Sequence, residues 1–112
     1  MRSTDPVAAI QVPCPSARTL KLVASKWSVE ILFALRAGEV VRFRELQRAV
    51  GRITQKELTR HLRSLEHAGL VARQVFAEVP PRVEYRLTPM GGSLLVPLEE
   101  LGRWSERFEA GR

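Results

Sequence analysis

Ile53-Thr54-Gln55-Lys56-Glu57-Leu58-Thr59-Arg60-His61-Leu62-Arg63-Ser64-Leu65-Glu66-His67-Ala68-Gly69-Leu70-Val71 is a helix written out with both of its ends, running into a strand. Thr54 and Glu57 stand at the T-x-x-E spacing of a capping box, which satisfies two of the amide donors that a helix start leaves without partners. Leu58, Leu62 and Leu65 recur at helical spacing and mark an inward face. Gln55, Lys56, Thr59, Arg60 and Arg63 fall on the opposite side, and such side chains hydrogen-bond to guanine and adenine edges or to phosphates. Gly69 stands where a left-handed residue closes a helix. The pattern admits two readings, a solvated surface helix and a helix that reads the DNA major groove. The segment that follows favours the second.

Val71 to Ala77 and Val83 to Leu87 are rich in Val, Phe and Tyr, as strands prefer. Between them lies Glu78-Val79-Pro80-Pro81-Arg82, whose two prolines cannot donate ladder bonds and so make a loop. Val83, Tyr85 and Leu87 alternate with Arg82, Glu84 and Arg86, placing apolar and charged groups on opposite faces. A hairpin with a stiffened tip, directly after a recognition helix, is expected to be the wing of a winged helix-turn-helix. Arg82 is then a candidate contact to phosphate or minor groove, against the alternative of a solvated loop charge.

The chain has 112 residues, 45% of them hydrophobic and 6% aromatic, which fits one compact domain with an aliphatic core. No apolar run is long enough to span a membrane. Met1 to Pro13 carries no apolar stretch of the kind that directs secretion, so a cytoplasmic protein is expected. The net charge of +6 is unevenly spread: residues 1–39 carry +2, residues 40–86 carry +5 and residues 87–112 carry −1. In the middle segment nine of the ten basic residues are arginine, which favours bidentate contact with phosphate or guanine. A charge excess concentrated on the expected reading head is the footprint of a nucleic-acid binder.

From the N-terminus, residues 1–13 read as an arm. Pro15 suits a first helical position, making Cys14 the N-cap of a helix to about Ala24 with Leu20 and Val23 inward. A second helix is expected from Lys26 to Ala37, ended by Gly38, with Trp27, Ile31, Leu32 and Leu35 on one face. Val40 and Val41 suggest a very short strand, and Phe43 to Val50 a third helix burying Leu46 and Val50. After the wing, Thr88 caps a last helix, residues 88–109, with Pro89 at its first position and Gly91 and Gly92 weakening its first turn. Leu94, Leu95, Leu98, Leu101, Trp104 and Phe108 give that helix a broad apolar stripe. Two outcomes are open for it: folding back on its own core, or forming a homodimer interface with Ile10 and Val12 of the arm, since large apolar patches mark partner sites. The expected fold class is α+β, mainly α, a single winged helix-turn-helix domain over residues 14–112 with extra N- and C-terminal dimerisation helices.

Several runs taken in order resemble the HxlR-type winged helix-turn-helix regulators of bacteria. They are Cys14-Pro15, Lys26-Trp27, Arg42-Phe43-x-Glu45-Leu46, Ile53-Thr54-Gln55-Lys56-x-Leu58-Thr59 and Leu62-x-x-Leu65-Glu66-x-x-Gly69-Leu70-Val71. Glu78-Val79-Pro80-Pro81-Arg82-Val83-Glu84-Tyr85-x-Leu87-Thr88, closed by Gly91, is the most specific of them. The chain departs where Arg44 stands in place of a common glycine and Ala24-Ser25 in place of a frequent Gly-Gly. The resemblance implies a dimeric transcription factor, often a repressor and sometimes an activator. DNA contact is then expected from Arg42, Arg44, Thr54, Gln55, Lys56, Thr59, Arg60, Arg63 and Arg82. The partner is double-stranded DNA with a pseudo-palindromic operator, because a two-fold dimer presents two recognition helices to one side of the duplex.

Cys14 is the one cysteine, so no internal disulfide forms. At a helix N-cap, with Arg18 one turn on, its thiolate would be favoured by the helix dipole and by the guanidinium. The resemblance implies a redox or electrophile switch at that position; the alternative is a small buried hydrophobe. A small-molecule or oxidant effector is accordingly an expected partner. His61 and His67 are six apart on one helix and make a poor metal site, with His61 expected to pack and His67 to be solvated. No catalytic constellation or phosphate loop is present, so neither an enzyme nor a cofactor is expected. A winged-helix module that binds protein through the same faces is the competing function.

Overall fold

The computed structural model describes residues 16–110, and among these it has five helices and one three-stranded sheet. In chain order they are α1 (Ser16–Val23), α2 (Lys26–Ala34), β1 (Val41–Arg42), α3 (Phe43–Val50), α4 (Gln55–His67), β2 (Val71–Phe76), β3 (Arg82–Leu87) and α5 (Pro89–Ala110). The sheet is antiparallel in the order β1-β3-β2. Val41 lies opposite Tyr85, Val71 opposite Leu87 and Phe76 opposite Arg82. This is a winged helix-turn-helix, mainly helical, as the chain's periodicities predict.

The core gathers one face of each element. Ile31, Leu32 and Leu35 come from α2 and its end, Leu46 from α3, and Leu58, Leu62 and Leu65 from α4. Ile53, Leu70, Val71, Tyr85 and Leu95 close it. Each large aliphatic side chain so buried contributes roughly 1.5–3 kcal/mol. The stripe that α4 spends on this core leaves its other face to solvent, which is what aims Gln55, Lys56, Arg60 and Arg63 outward. Among the described residues no helix is long and apolar enough to cross a membrane.

Expected boundaries shift in five elements. Helix α1 ends at Val23, not Ala24, and Leu20 is 55% exposed while Val23 is buried. Leu22 and Val23, at the end of this short helix, pack on the core, and Leu20 nearer its middle does not. Helix α2 stops at Ala34, three residues early, because the Leu35 amide turns back on Ile31 and Leu32 and the chain bends to Gly38 at φ 79°. Strand β1 is Val41–Arg42 and excludes Val40, since the register pairs Val41 with Tyr85 and Arg42 with Glu84. In the wing, β2 ends at Phe76 and β3 begins one residue early at Arg82, because Phe76 and Arg82 pair.

Thr88 caps α5 as its position predicts: its hydroxyl oxygen accepts the Gly91 amide at 3.0 Å. Gly91 proves to be more than a weak point. It is buried, and a Cβ there would lie 2.0 Å from the Leu70 carbonyl oxygen, so only glycine lets α5 approach the end of α4. The helix also runs on through Pro97.

Candidate nucleic-acid interface

The turn between α3 and α4 is held by backbone and side-chain bonds together. Gly51 adopts φ 103°, a left-handed value that an L side chain resists. The Gly51 amide donates to Gln47 O at 3.0 Å, the Ile53 amide to Gly51 O at 2.9 Å, and Gln47 Nε2 to Ile53 O at 3.1 Å. Ile53 is buried between the helices. The capping box forms in full. The Glu57 amide donates to Thr54 Oγ1 at 3.1 Å, and the Thr54 amide donates to Glu57 Oε1 at 3.2 Å. The Thr54 hydroxyl also donates to that carboxylate at 3.0 Å. The amide bond first and the hydroxyl bond second hold the Glu57 carboxyl below its ordinary value, with Arg60 adding a smaller pull in the same direction.

At the other end, α4 closes in a Schellman motif. The Leu70 amide reaches Leu65 O and the Gly69 amide reaches Glu66 O, both at 3.0 Å, with Gly69 at φ 80°. Position and length of the helix are thus fixed at both termini.

On its outer face, Gln55, Lys56, Thr59, Arg60 and Arg63 line one continuous shallow surface. Among the described residues Lys56, Arg60 and Arg63 have no carboxylate within 4 Å, which leaves their charge open to an incoming anion. Thr59 is half-buried and its hydroxyl donates to Gln55 O at 2.8 Å. Thr54 spends its hydroxyl in the cap.

A second basic surface lies beside the first. Arg42, Arg44 and Arg48, from the start and outer face of α3, line a groove whose opposite wall is the wing tip from Glu78 to Val83. Arg48 was not among the residues singled out from the sequence. The signal for it was its i,i+4 spacing from Arg44 on one helix. Arg52, in the turn between α3 and α4, is a further exposed basic group.

Arg82 is placed differently. Its guanidinium stacks over the Phe76 ring, 4.1 Å from the centroid, and lies 3.4 Å from Glu78 and 3.5 Å from Glu84. Nε is buried and makes no hydrogen bond of good geometry. In this position the side chain braces the wing. Arg73 on β2 meets Glu66 on α4 at 3.6 Å, which ties the wing to the recognition helix.

Ser25 links the start of α2 to α4. Its hydroxyl caps α2 by accepting the Trp27 amide at 3.2 Å, and it lies 3.5 Å from His61 Nε2 on the inner flank of α4. Burial, and then the neighbouring Arg60, push the His61 imidazole below its ordinary value, with Glu57 opposing. Among the described residues no group of His, Cys, Asp and Glu is arranged to hold a metal.

The apolar stripe of α5 divides. Leu94, Leu95 and Leu98 pack against the chain's own core. Leu101, Trp104 and Phe108 are about half exposed, with the Trp104 and Phe108 rings stacked at 5.2 Å. Cys14, Ile10 and Val12 lie outside the described residues.

Comparison with known proteins agrees with this geometry. The HxlR-like helix-turn-helix family matches residues 22–111. An HTH-type transcriptional regulator of Halalkalibacterium halodurans is 46% identical over 90 residues, covering 80% of each chain. The regulator YtfH of Escherichia coli is 43% identical over 93 residues, 83% of this chain and 73% of that one. Among solved structures, a MarR-family transcriptional regulator from Enterococcus faecalis superposes with a TM-score of 0.80 at 38% identity, covering 97% of this chain and 96% of that one. The redox regulator HypR in its oxidised form gives 0.72 at 38% identity, covering 84% and 96%. The capped helix, its basic outer face and the wing are therefore those of a transcriptional regulator, and the chain belongs to the HxlR-like helix-turn-helix family.

Proposed function

We propose that the protein is a dimeric, sequence-specific DNA-binding transcription factor with no catalytic activity. The observation that carries this reading is the outer face of α4, where Lys56, Arg60 and Arg63 stand exposed, in no ion pair among the described residues, on a helix capped at both ends. Gln55, Lys56, Thr59, Arg60 and Arg63 read base edges, and Thr54 fixes the helix start from which they project. Arg42 and Arg44, with Arg48, hold phosphates. Arg82 keeps the wing in the shape that lets its tip approach the neighbouring groove. Two protomers associate through Leu101, Trp104 and Phe108, with Leu94 and Leu98 at the margin and Ile10 and Val12 of the arm completing the surface. The two recognition helices then address half-sites about one turn apart, ~10 base pairs, in a pseudo-palindromic operator.

Oxidant or electrophile sensing through Cys14 is part of the proposal. It is supported by the likeness to HypR, described as a redox regulator, and to YodB of Bacillus subtilis, whose reduced form gives a TM-score of 0.76 at 32% identity and covers 87% of this chain. In a dimer, two Cys14 thiols yield a Cys14–Cys14′ bond by giving two electrons and two protons to the oxidant.

The test is fluorescence anisotropy of the DNA upstream of the protein's own gene beside a scrambled duplex, at two salt concentrations, with reduced and oxidised protein. Salt-sensitive preference for the native fragment, lowered by roughly 1–3 kcal/mol in Arg60→Ala, is expected. Any oxidation effect should vanish in Cys14→Ser. Equal binding of both duplexes at every salt, or an unchanged Arg60→Ala, would defeat the assignment and favour a module that binds protein.

A further inference from the structure

The closing turn of α4 and the opening turn of α5 are interlocked. Thr88 Oγ1 donates to Gly69 O at 2.5 Å, and the Thr88 amide donates to Leu70 O at 3.1 Å. Both acceptors belong to the residues that close the recognition helix. Thr88 Oγ1 meanwhile accepts the Gly91 amide, so a single hydroxyl bonds the end of one helix and the start of the other. Gly91 is packed against Leu70 O so closely that no Cβ fits, and a Cβ at Gly69 would meet the tip of Met90 at 2.8 Å. At Gly91 the contact is with the backbone of Leu70, which cannot turn aside as a side chain can, so the junction resists a change of angle there.

We infer that Thr88 and Gly91 are positioning residues for DNA recognition. Their junction fixes the angle between the recognition helix and the helix that carries Leu101, Trp104 and Phe108, and through it the half-site spacing that the dimer accepts. This rests on the dimeric DNA-binding reading above and specifies what sets its geometry. The lever arm makes small errors large. Thirteen residues separate Gly91 from Trp104, about 20 Å of helix. A tilt of about 10° at the junction therefore displaces the far end by about 3.4 Å, which is one base-pair rise. Pro97 removes one amide from the helix ladder beyond the junction, so the first turns of α5 take their direction from the junction together with Leu94 and Leu95, which pack on the core.

The experiment is selection from a random DNA duplex library by the full-length protein and by Thr88→Val, Thr88→Ser and Gly91→Ala, each checked for folding by circular dichroism and for mass by sedimentation. The wild type should enrich paired half-sites at a single spacing. Thr88→Val, which removes the shared hydroxyl, should enrich the same half-sites over several spacings, and Thr88→Ser should restore the single one. Gly91→Ala should behave as Thr88→Val if it folds, and Thr88→Val decides the matter if it does not. A single unchanged spacing in Thr88→Val would overturn the inference while leaving DNA recognition intact. Failure of the wild type to enrich any paired sequence would overturn both.

Discussion

Replacing Thr54 by alanine isolates the start of the recognition helix. The substitution removes the acceptor of the Glu57 amide at 3.1 Å and the hydroxyl donor to the Glu57 carboxylate at 3.0 Å, but leaves the backbone amide that reaches the same carboxylate at 3.2 Å. Loss of a threonine N-cap costs about 1 kcal/mol. For a domain of this length that is a fall of roughly 4 °C in Tm. Thr54→Ser keeps both bonds and should stay close to wild type. The effect also has a pH signature. Glu57 is held below its ordinary value of 4.5 in the folded protein, so its contribution is present above that pH and is lost as pH falls through the lowered folded value. Part of what Thr54 supplies is its bond to the ionised carboxylate, so the gap between wild type and Thr54→Ala should narrow in acid. Thermal unfolding followed by circular dichroism across that range measures both. An unchanged Tm near neutrality would refute the capping argument.

Other perturbations test other parts of the fold. Burial and Arg60 depress the His61 imidazole, so the neutral form is favoured by folding; stability should be complete above about pH 6.5 and decline as pH falls through that value toward the lowered folded one. His61→Gln should flatten that decline in urea titrations. Leu62→Ala empties a fully enclosed site between α4 and the core and should cost about 2–5 kcal/mol, read from the denaturant midpoint. Trp104→Ala should raise the dimer dissociation constant at least ~10-fold in sedimentation equilibrium, as truncating a central interface aromatic does, without lowering the stability of the folded protomer.

Local chemistry accounts for what the sequence made legible. The capping box at Thr54 and Glu57, the Schellman closure at Gly69 and the leucines of α4 are all dictated within one helix, and each is formed. The wing was legible because Pro80 and Pro81 interrupt two β-prone runs. What escaped depends on how elements meet in space. Glu78 and Glu84 flank Arg82 in the sequence, but that its guanidinium stacks on Phe76 between them follows only from the hairpin register pairing Phe76 with Arg82. Gly91 looked like a flaw in a helix because the Leu70 carbonyl it accommodates is twenty-one residues away. Leu20 obeyed helical periodicity yet faces outward, since periodicity states which residues share a face and not whether a neighbour covers it. Arg48 was passed over because the groove it lines needs the wing tip as its other wall.

The enclosure of Arg82 has a consequence for encounter kinetics. Residues 42–63 hold seven basic and two acidic side chains, whereas residues 66–86 hold three of each. The wing and the end of the recognition helix are therefore electrically self-balanced, and the field that a distant polyanion feels emanates from α3, the turn and the outer face of α4. Charged surfaces of this kind accelerate and orient association, an effect that fades within about 8 Å at physiological salt. A duplex is drawn to the helix-turn-helix first and meets the wing only after contact, when shape and short-range bonding decide whether it stays.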